Sequence, residues 1–315
     1  MGNDELWLRR RGELYPFGYN IGNLACQCES NEEKTLMDVA KIREKLNKTL
    51  LMMALILGAL LMLFPFFWML FVAVKAEGHG FKLDFVFAQP LFKNFTAVWT
   101  NESFPFSRFF INSLFVATSG SLMTALFCSM GAYVFAKKNF IFKETLFWML
   151  LSTLMIPGMM YMVPQFAIVT KLGWINTYRG MIIPHVANIF GLFLLRQHME
   201  TIPDALISSA EIDGASEWQI FKNIIVPLSM PVITTVFLLS FLFQWTNFLW
   251  QLVVNTPDSL KLTLPVGLAL FRGQYATQWT LLMAASAFSI IPIAVLFLAL
   301  QRFFIEGLTA GAVKE

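Results

Sequence analysis

Charge is what this sequence has least of. Asp, Glu, Lys and Arg together make up 14% of its 315 residues, against about a quarter in soluble domains. That excludes an ordinary soluble globule. A net charge of +3 is too small to draw nucleic acid, whose binders carry clustered basic faces. Cysteine is also scarce. Cys26, Cys28 and Cys128 are too few for a disulfide framework, and the lone C-x-C has no second pair to complete a metal site. No His/Cys/Asp/Glu set has metal-ligand spacing, and His79, His185 and His198 stand far apart. The pattern G-x-x-x-x-G-K-[ST] is missing, so the chain offers no phosphate-cradling loop of that kind for ATP. No cofactor and no convergent nucleophile–base set is implied, which leaves an intramembrane enzyme without support.

Apolar residues fill the space that charge leaves. The chain is 57% hydrophobic, with 33 Phe, 17 Met and 9 Trp. A helix needs about 20 apolar residues to cross the hydrocarbon core. Six stretches have that character: 51–74, 109–136, 145–170, 180–197, 228–254 and 280–303. Lipid offers the backbone no partner, so these stretches are expected to be helices. The expected fold is an all-α integral membrane protein with six transmembrane helices. With the N-terminus inside, cytoplasmic segments hold 15 Lys and Arg and external ones 8, a bias that places both termini in the cytoplasm. Residues 1–47 form a polar N-terminal extension, in which 34–48 have the pattern of an amphipathic helix, and 48–315 form the transmembrane domain. Segment 75–108 is the largest external loop.

The charged stretch SSAEIDGASEWQIFKNIIVPLSMP, residues 208–231, interrupts the oil. Its surroundings, 200–227, read as two short helices outside the lipid. Pro203 suits a first turn, and Asp204 meets the positive end of the helix dipole. The first helix is expected from about Pro203 to Asp213. Gly214 then supplies the left-handed residue that ends a helix, and Asp213 is placed to bond backbone donors at the turn. Ser216 and Gln219 have capping-box spacing and start the second helix. Trp218, Phe221, Ile224 and Ile225 fall on one face at helical spacing, suited to packing on the bundle end or on another protein. Pro227 and Pro231 mark the return to the membrane.

Few polar residues lie inside the apolar stretches. Gln244, Asn247 and Gln251 have helical spacing on one face, with Trp245 and Trp250 nearby. Amides with aromatic faces suit a neutral polyol, and they equally suit gluing helices together. Asn112, Gln165 and Asn188 are weaker candidates for a transport path. His185 reads as functional or, more ordinarily, as a packed histidine bonded to a neighbouring carbonyl. Pro157, Pro164, Pro184 and Pro292 are candidate kinks. The stretches contain no carboxylate, which counts against an ion-coupled secondary transporter, the rival reading.

The pattern A-x-x-D-G-A, followed by Phe, Ile and Pro, resembles the EAA loop of ABC importer permeases. The matching residues are Ala210, Asp213, Gly214, Ala215, Phe221, Ile224 and Pro227. Ser208-Ser209 stands where that family usually has Glu-Ala. Residues 154–166, 176–216, 245–254 and 281–315, the last ending in EGLTAGAVKE, resemble the maltose-type carbohydrate-uptake class. At Trp245-Thr246-Asn247 the family often carries a carboxylate that this chain lacks. The resemblance covers roughly 50–315. It implies a type I importer permease fold in the bacterial cytoplasmic membrane, paired with a second permease subunit as a heterodimer. Two ATP-binding subunits and an extracytoplasmic solute-binding protein are the further implied partners. It implies that Ser208, Ala210, Asp213, Gly214, Ala215, Trp218, Phe221 and Pro227 belong to a loop that docks on an ATPase. It also implies that a C-terminal tail with Gly307 and Gly311 reaches the ATPase interface.

Overall fold

The computed structural model describes residues 43–80, 82, 84–102, 104–274 and 278–309. Residues 34–42 of the expected amphipathic helix, like the rest of the N-terminal extension before Arg43, lie outside them. The chain divides into two units, 1–67 and 68–315. In the first, the described residues 43–67 are wholly helical, and this helix, α1, runs Arg43–Ala73. Thirteen further α-helices follow among the described residues: α2 (Lys93–Trp99), α3 (Phe106–Lys137), α4 (Lys143–Ser152), α5 (Gly158–Lys171), α6 (Tyr178–Ile182), α7 (Ile189–Glu200), α8 (Asp204–Ile212), α9 (Glu217–Ile220), α10 (Val226–Leu228), α11 (Met230–Thr246), α12 (Leu249–Val254), α13 (Leu264–Gln274) and α14 (Trp279–Thr309). The described residues contain no strand, only a single antiparallel bridge between Lys75 and Phe87.

Three helices, α1, α3 and α14, are long and apolar enough to cross a membrane alone. The other expected stretches are bent. Residues 143–155 and 158–171 meet at 103°, 178–185 and 189–200 at 45°, and 217–228 and 230–246 at 80°. Proline explains where two of these breaks fall. A residue before proline is driven out of the helical region, and Ile156 is extended ahead of Pro157. Pro184 lies in a 3₁₀ turn, Ile183–His185, just before the second break. Pro164 and Pro292 sit inside continuous helices. The stretch expected at 228–254 is also divided, because Asn247 is extended between α11 and α12.

In the second unit, α3 is the hub, packing along α11 and α7, while α11 also packs on α14. With lipid-like side chains on all sides, close approach rests on small residues. A Cβ on Gly191 of α7 would lie 2.9 Å from Val236 and 3.4 Å from the Cys128 sulfur. The fully buried Lys75 locks the segment after α1. Its ammonium donates to the carbonyls of His79 and Lys82 and lies 3.5 Å from Asp84 Oδ1. Asn94 of α2 donates to the carbonyls of Ala73 and Lys75, each at 2.8 Å.

Candidate functional site

The helix–turn–helix at 203–228 forms as its sequence directs. Pro203 precedes α8, and Asp213 ends it. The turn is a full Schellman closure: Ala215 N–H donates to Ala210 C=O at 2.9 Å and Gly214 N–H to Glu211 C=O at 3.1 Å. Gly214 has φ +80°, where glycine is at no disadvantage. Asp213 acts through its backbone, its N–H donating to Ser209 C=O at 3.0 Å. The expected side-chain bond of Asp213 to backbone donors is not formed among the described residues. The capping box is complete: Ser216 Oγ accepts from Gln219 N–H at 3.4 Å, and Gln219 Oε1 accepts from Ser216 N–H at 2.7 Å.

Beyond α9 the chain departs from the expected regular helix. Phe221–Ile225 forms a π-helical turn. Ile220, Phe221 and Ile225 are buried, together with Ile207 of α8, against Tyr133 of α3 and Leu195 and Met199 of α7. Ile224 and Ala210 pack partly on the same cluster. Trp218, expected on one apolar face with Phe221, Ile224 and Ile225, is 56% exposed and lies over Phe221 at 5.5 Å between ring centres. Ile220 lies inward beside Phe221 and Ile225. Ser208 and Pro227 are exposed.

Electrostatics hold this unit to the end of α3, through residues the sequence did not single out. Lys137 donates to Ile202 C=O and, at 2.7 Å, to Asp204 Oδ1. Lys138 bonds Glu217 and lies 3.7 Å from Glu211, and Tyr133 donates to Glu217 Oε2 at 2.8 Å. Two adjacent cations thus pin both helices of the motif. The Lys137 hydrogen bond and charge hold the Asp204 carboxyl below its usual range. Hydrogen bonds from Lys138 and Tyr133 do the same for Glu217, against the opposing effect of burial. Arg196 adds a brace between α7 and α4, with Glu144 at 2.7 Å, Glu200 at 2.8 Å and the Phe147 ring beneath it at 3.8 Å. The basic doublet was visible in the sequence, but nothing in the spacing tied it to acids more than 60 residues away.

The polar residues of the apolar stretches separate on inspection. Trp245 is buried in the core, its Nε1–H donating to Ser289 C=O at 3.1 Å. Trp250 likewise donates to Gly180 C=O at 3.0 Å. Gln244 and Gln251 are buried, and neither amide has a hydrogen-bond partner among the described residues. Gln244 lies against α3, 2.8 Å from where a Cβ on Gly120 would stand. Asn247 is half-buried in the break between α11 and α12, so the helical spacing that put it on one face with Gln251 does not apply. Asn112 is structural: its Nδ2 donates to Leu260 and Leu262 carbonyls at 3.0 Å and its Oδ1 accepts from Tyr178 at 2.7 Å. Gln165 donates to Pro184 C=O at 3.2 Å. His185 does not follow the expected pattern at Nε2, which is buried and unbonded. Gly307 lies within α14, and Gly311 lies outside the described residues.

Comparison with known proteins places this geometry. Residues 40–309 match the family described as binding-protein-dependent transport system inner membrane component. The chain is 34% identical over 260 residues to the arabinooligosaccharides transport system permease protein AraQ of Bacillus subtilis (strain 168), covering 81% of this chain and 92% of that one. It is 32% identical over 274 residues to the trehalose/maltose transport system permease protein MalG of Thermococcus litoralis, covering 86% and 98%. Its fold is similar, with a TM-score of 0.69 at 23% identity, to a chain of a bacterial ABC transporter involved in the import of the acidic polysaccharide alginate, covering 80% and 94%. The chain therefore belongs to the binding-protein-dependent transport system inner membrane component family.

Proposed function

We propose that this chain is a permease subunit of an ABC importer for a sugar or oligosaccharide, working beside a sister permease, two ATP-binding subunits and an external binding protein. The first two bent pairs then count as one crossing each, and α11 onward supplies the crossing of the third, giving six, with both termini and the helix–turn–helix in the cytoplasm. The ATPase pair closes on the helix–turn–helix, and the motion passes through α3 and α11 to the gate.

The observation that carries this reading is a braced unit that leaves large apolar side chains exposed. Leu206 is 43% exposed, Ile212 87% and Trp218 56%. Behind them stand the buried Ile207–Phe221–Ile225 core and the Lys137 and Lys138 clamps. Such a unit transmits a push without absorbing it, and an exposed apolar cluster marks a contact surface. Purified importer carrying Ile212→Lys and Trp218→Lys is expected to keep its sister permease. Its ATP-driven uptake should fall at least tenfold, together with ATPase binding. Normal uptake by that double variant would overturn the coupling role.

A further inference from the structure

A cleft of about 490 Å³ opens where the α4–α5 break faces the α6–α7 break. Among its lining residues are Thr153, Tyr161, His185, Asn188, Phe190 and Phe243. Three of these are aromatic and about half exposed: Tyr161 49%, Phe190 48% and Phe243 52%. His185 is held by edge contacts to Phe243 and Trp250, with ring centres at 5.3 and 5.4 Å. Its buried Nε2 has no hydrogen-bond partner among the described residues. The imidazole nevertheless forms part of the cleft wall, a polar ring set among aromatic and aliphatic side chains.

The other polar groups have capacity to spare. Asn188 Oδ1 caps α7 by accepting from Gly191 N–H at 2.8 Å, which leaves its NH₂ as a donor. Thr153 donates to Leu150 C=O at 2.7 Å, which leaves its oxygen as an acceptor. No Asp, Glu, Lys or Arg lines the cleft. Recognition of a carboxylate or phosphate relies on cationic or forked donors, and the capped N-terminus of α7 contributes only neutral N–H groups. Apolar faces with a few convergent neutral hydrogen-bonding groups are the general form of a small-ligand site.

We infer that this cleft is a binding station for an uncharged, hydroxyl-rich ligand, a neutral sugar unit, with the His185 imidazole, Asn188 and Thr153 as hydrogen-bonding groups and Tyr161, Phe190 and Phe243 as stacking faces. The station rests on the carbohydrate-permease reading. It sits in this subunit, apart from the Gln244–Gln251 amides.

Two measurements on the assembled importer test it. In cells carrying all subunits, ATP-dependent uptake is measured for labelled arabinotriose, maltose and trehalose, and for a mannuronate trisaccharide as the anionic counterpart. A neutral probe is expected to be carried and the anionic one refused. His185→Phe should raise the KM for the neutral probe at least tenfold, and Tyr161→Phe about threefold, with ATP hydrolysis retained. Equal uptake of the mannuronate probe, or an unchanged KM in both variants, would overturn the station. In the purified complex, a Tyr161→Cys thiol should react with a small methanethiosulfonate reagent, and saturating maltotriose, not mannuronate, should slow that reaction. A thiol that does not react in the complex would mean the sister subunit fills the cleft, and would also overturn it. Reaction and protection as expected, with no ATP-dependent uptake of any probe, would instead sink the permease reading and leave the station standing as a sugar site.

Discussion

Single residues set how stiff the helix–turn–helix is. Gly214 has open space around it, with nothing within 4 Å of a built Cβ, so its requirement is conformational and not steric. At φ +80° a β-branched side chain costs on the order of 1–3 kcal/mol, whereas Asn tolerates the left-handed region. The expected order of uptake by the assembled importer is therefore Gly214→Asn above Gly214→Ala above Gly214→Val, with ATP hydrolysis surviving in Gly214→Val while transport fails. Equal uptake across the three variants would detach the turn from coupling. Glu217 makes a second residue-level prediction. Its carboxyl is held below the ordinary glutamate range, first by the Lys138 hydrogen bond. A carboxyl depressed in the folded state stabilises it above the unfolded value, and that stabilisation drains away as pH falls through the folded value. The protection factors of α9 amides, taken against intrinsic exchange at each pH, should thus be high at pH 7 and should fall below about pH 4.5. Glu217→Gln should exchange faster at pH 7 and lose most of that dependence.

At the scale of elements, the caps carry a short helix that could not stand alone. Four residues of α9 are far below the length at which an isolated helix persists. Its stability comes from the Ser216–Gln219 box and from the apolar residues beyond it. Ser216→Ala should cost about 1 kcal/mol, and Phe221→Ala about 3–5 kcal/mol because the ring is fully packed. Exchange protection of 217–225 measures both, and Phe221→Ala should be the more severe. These caps and turns were legible in the sequence because their signals are local: Pro203, Gly214 and Ser216–Gln219 each act within four residues. The π turn at Phe221–Ile225 was not, nor was the burial of Ile220. A π turn is chosen by what Phe221 and Ile225 meet on α3 and α7, and those partners lie about 90 and 30 residues away. The same reason hid the break at Asn247. Helical spacing grouped Gln244, Asn247 and Gln251, yet the ladder stops between them, where Asn247 is extended.

For the whole molecule, composition settled the class, and charge bias gave an orientation that the packing of helices alone does not fix. The bias is uneven, since residues 1–50 supply 8 of the 15 inner cations, and the positive-inside rule counts the short loops. The helix–turn–helix provides an independent handle. Its Lys137 and Lys138 clamp binds Asp204, Glu211 and Glu217, so the whole charged unit must lie on one side of the membrane. Glu77 and Glu102 belong to the segment expected on the opposite side. Ser208→Cys, on the exposed face of α8, should therefore react with a membrane-impermeant maleimide in inverted vesicles and not in intact spheroplasts. Glu102→Cys should show the reverse. If both thiols react from the same face, the crossings between them number an even count and not the three of the six-crossing reading; because the Lys137–Asp204 pair already holds the end of α3 on the Ser208 side, that outcome would mean that α3 itself does not cross, and the six-crossing reading falls.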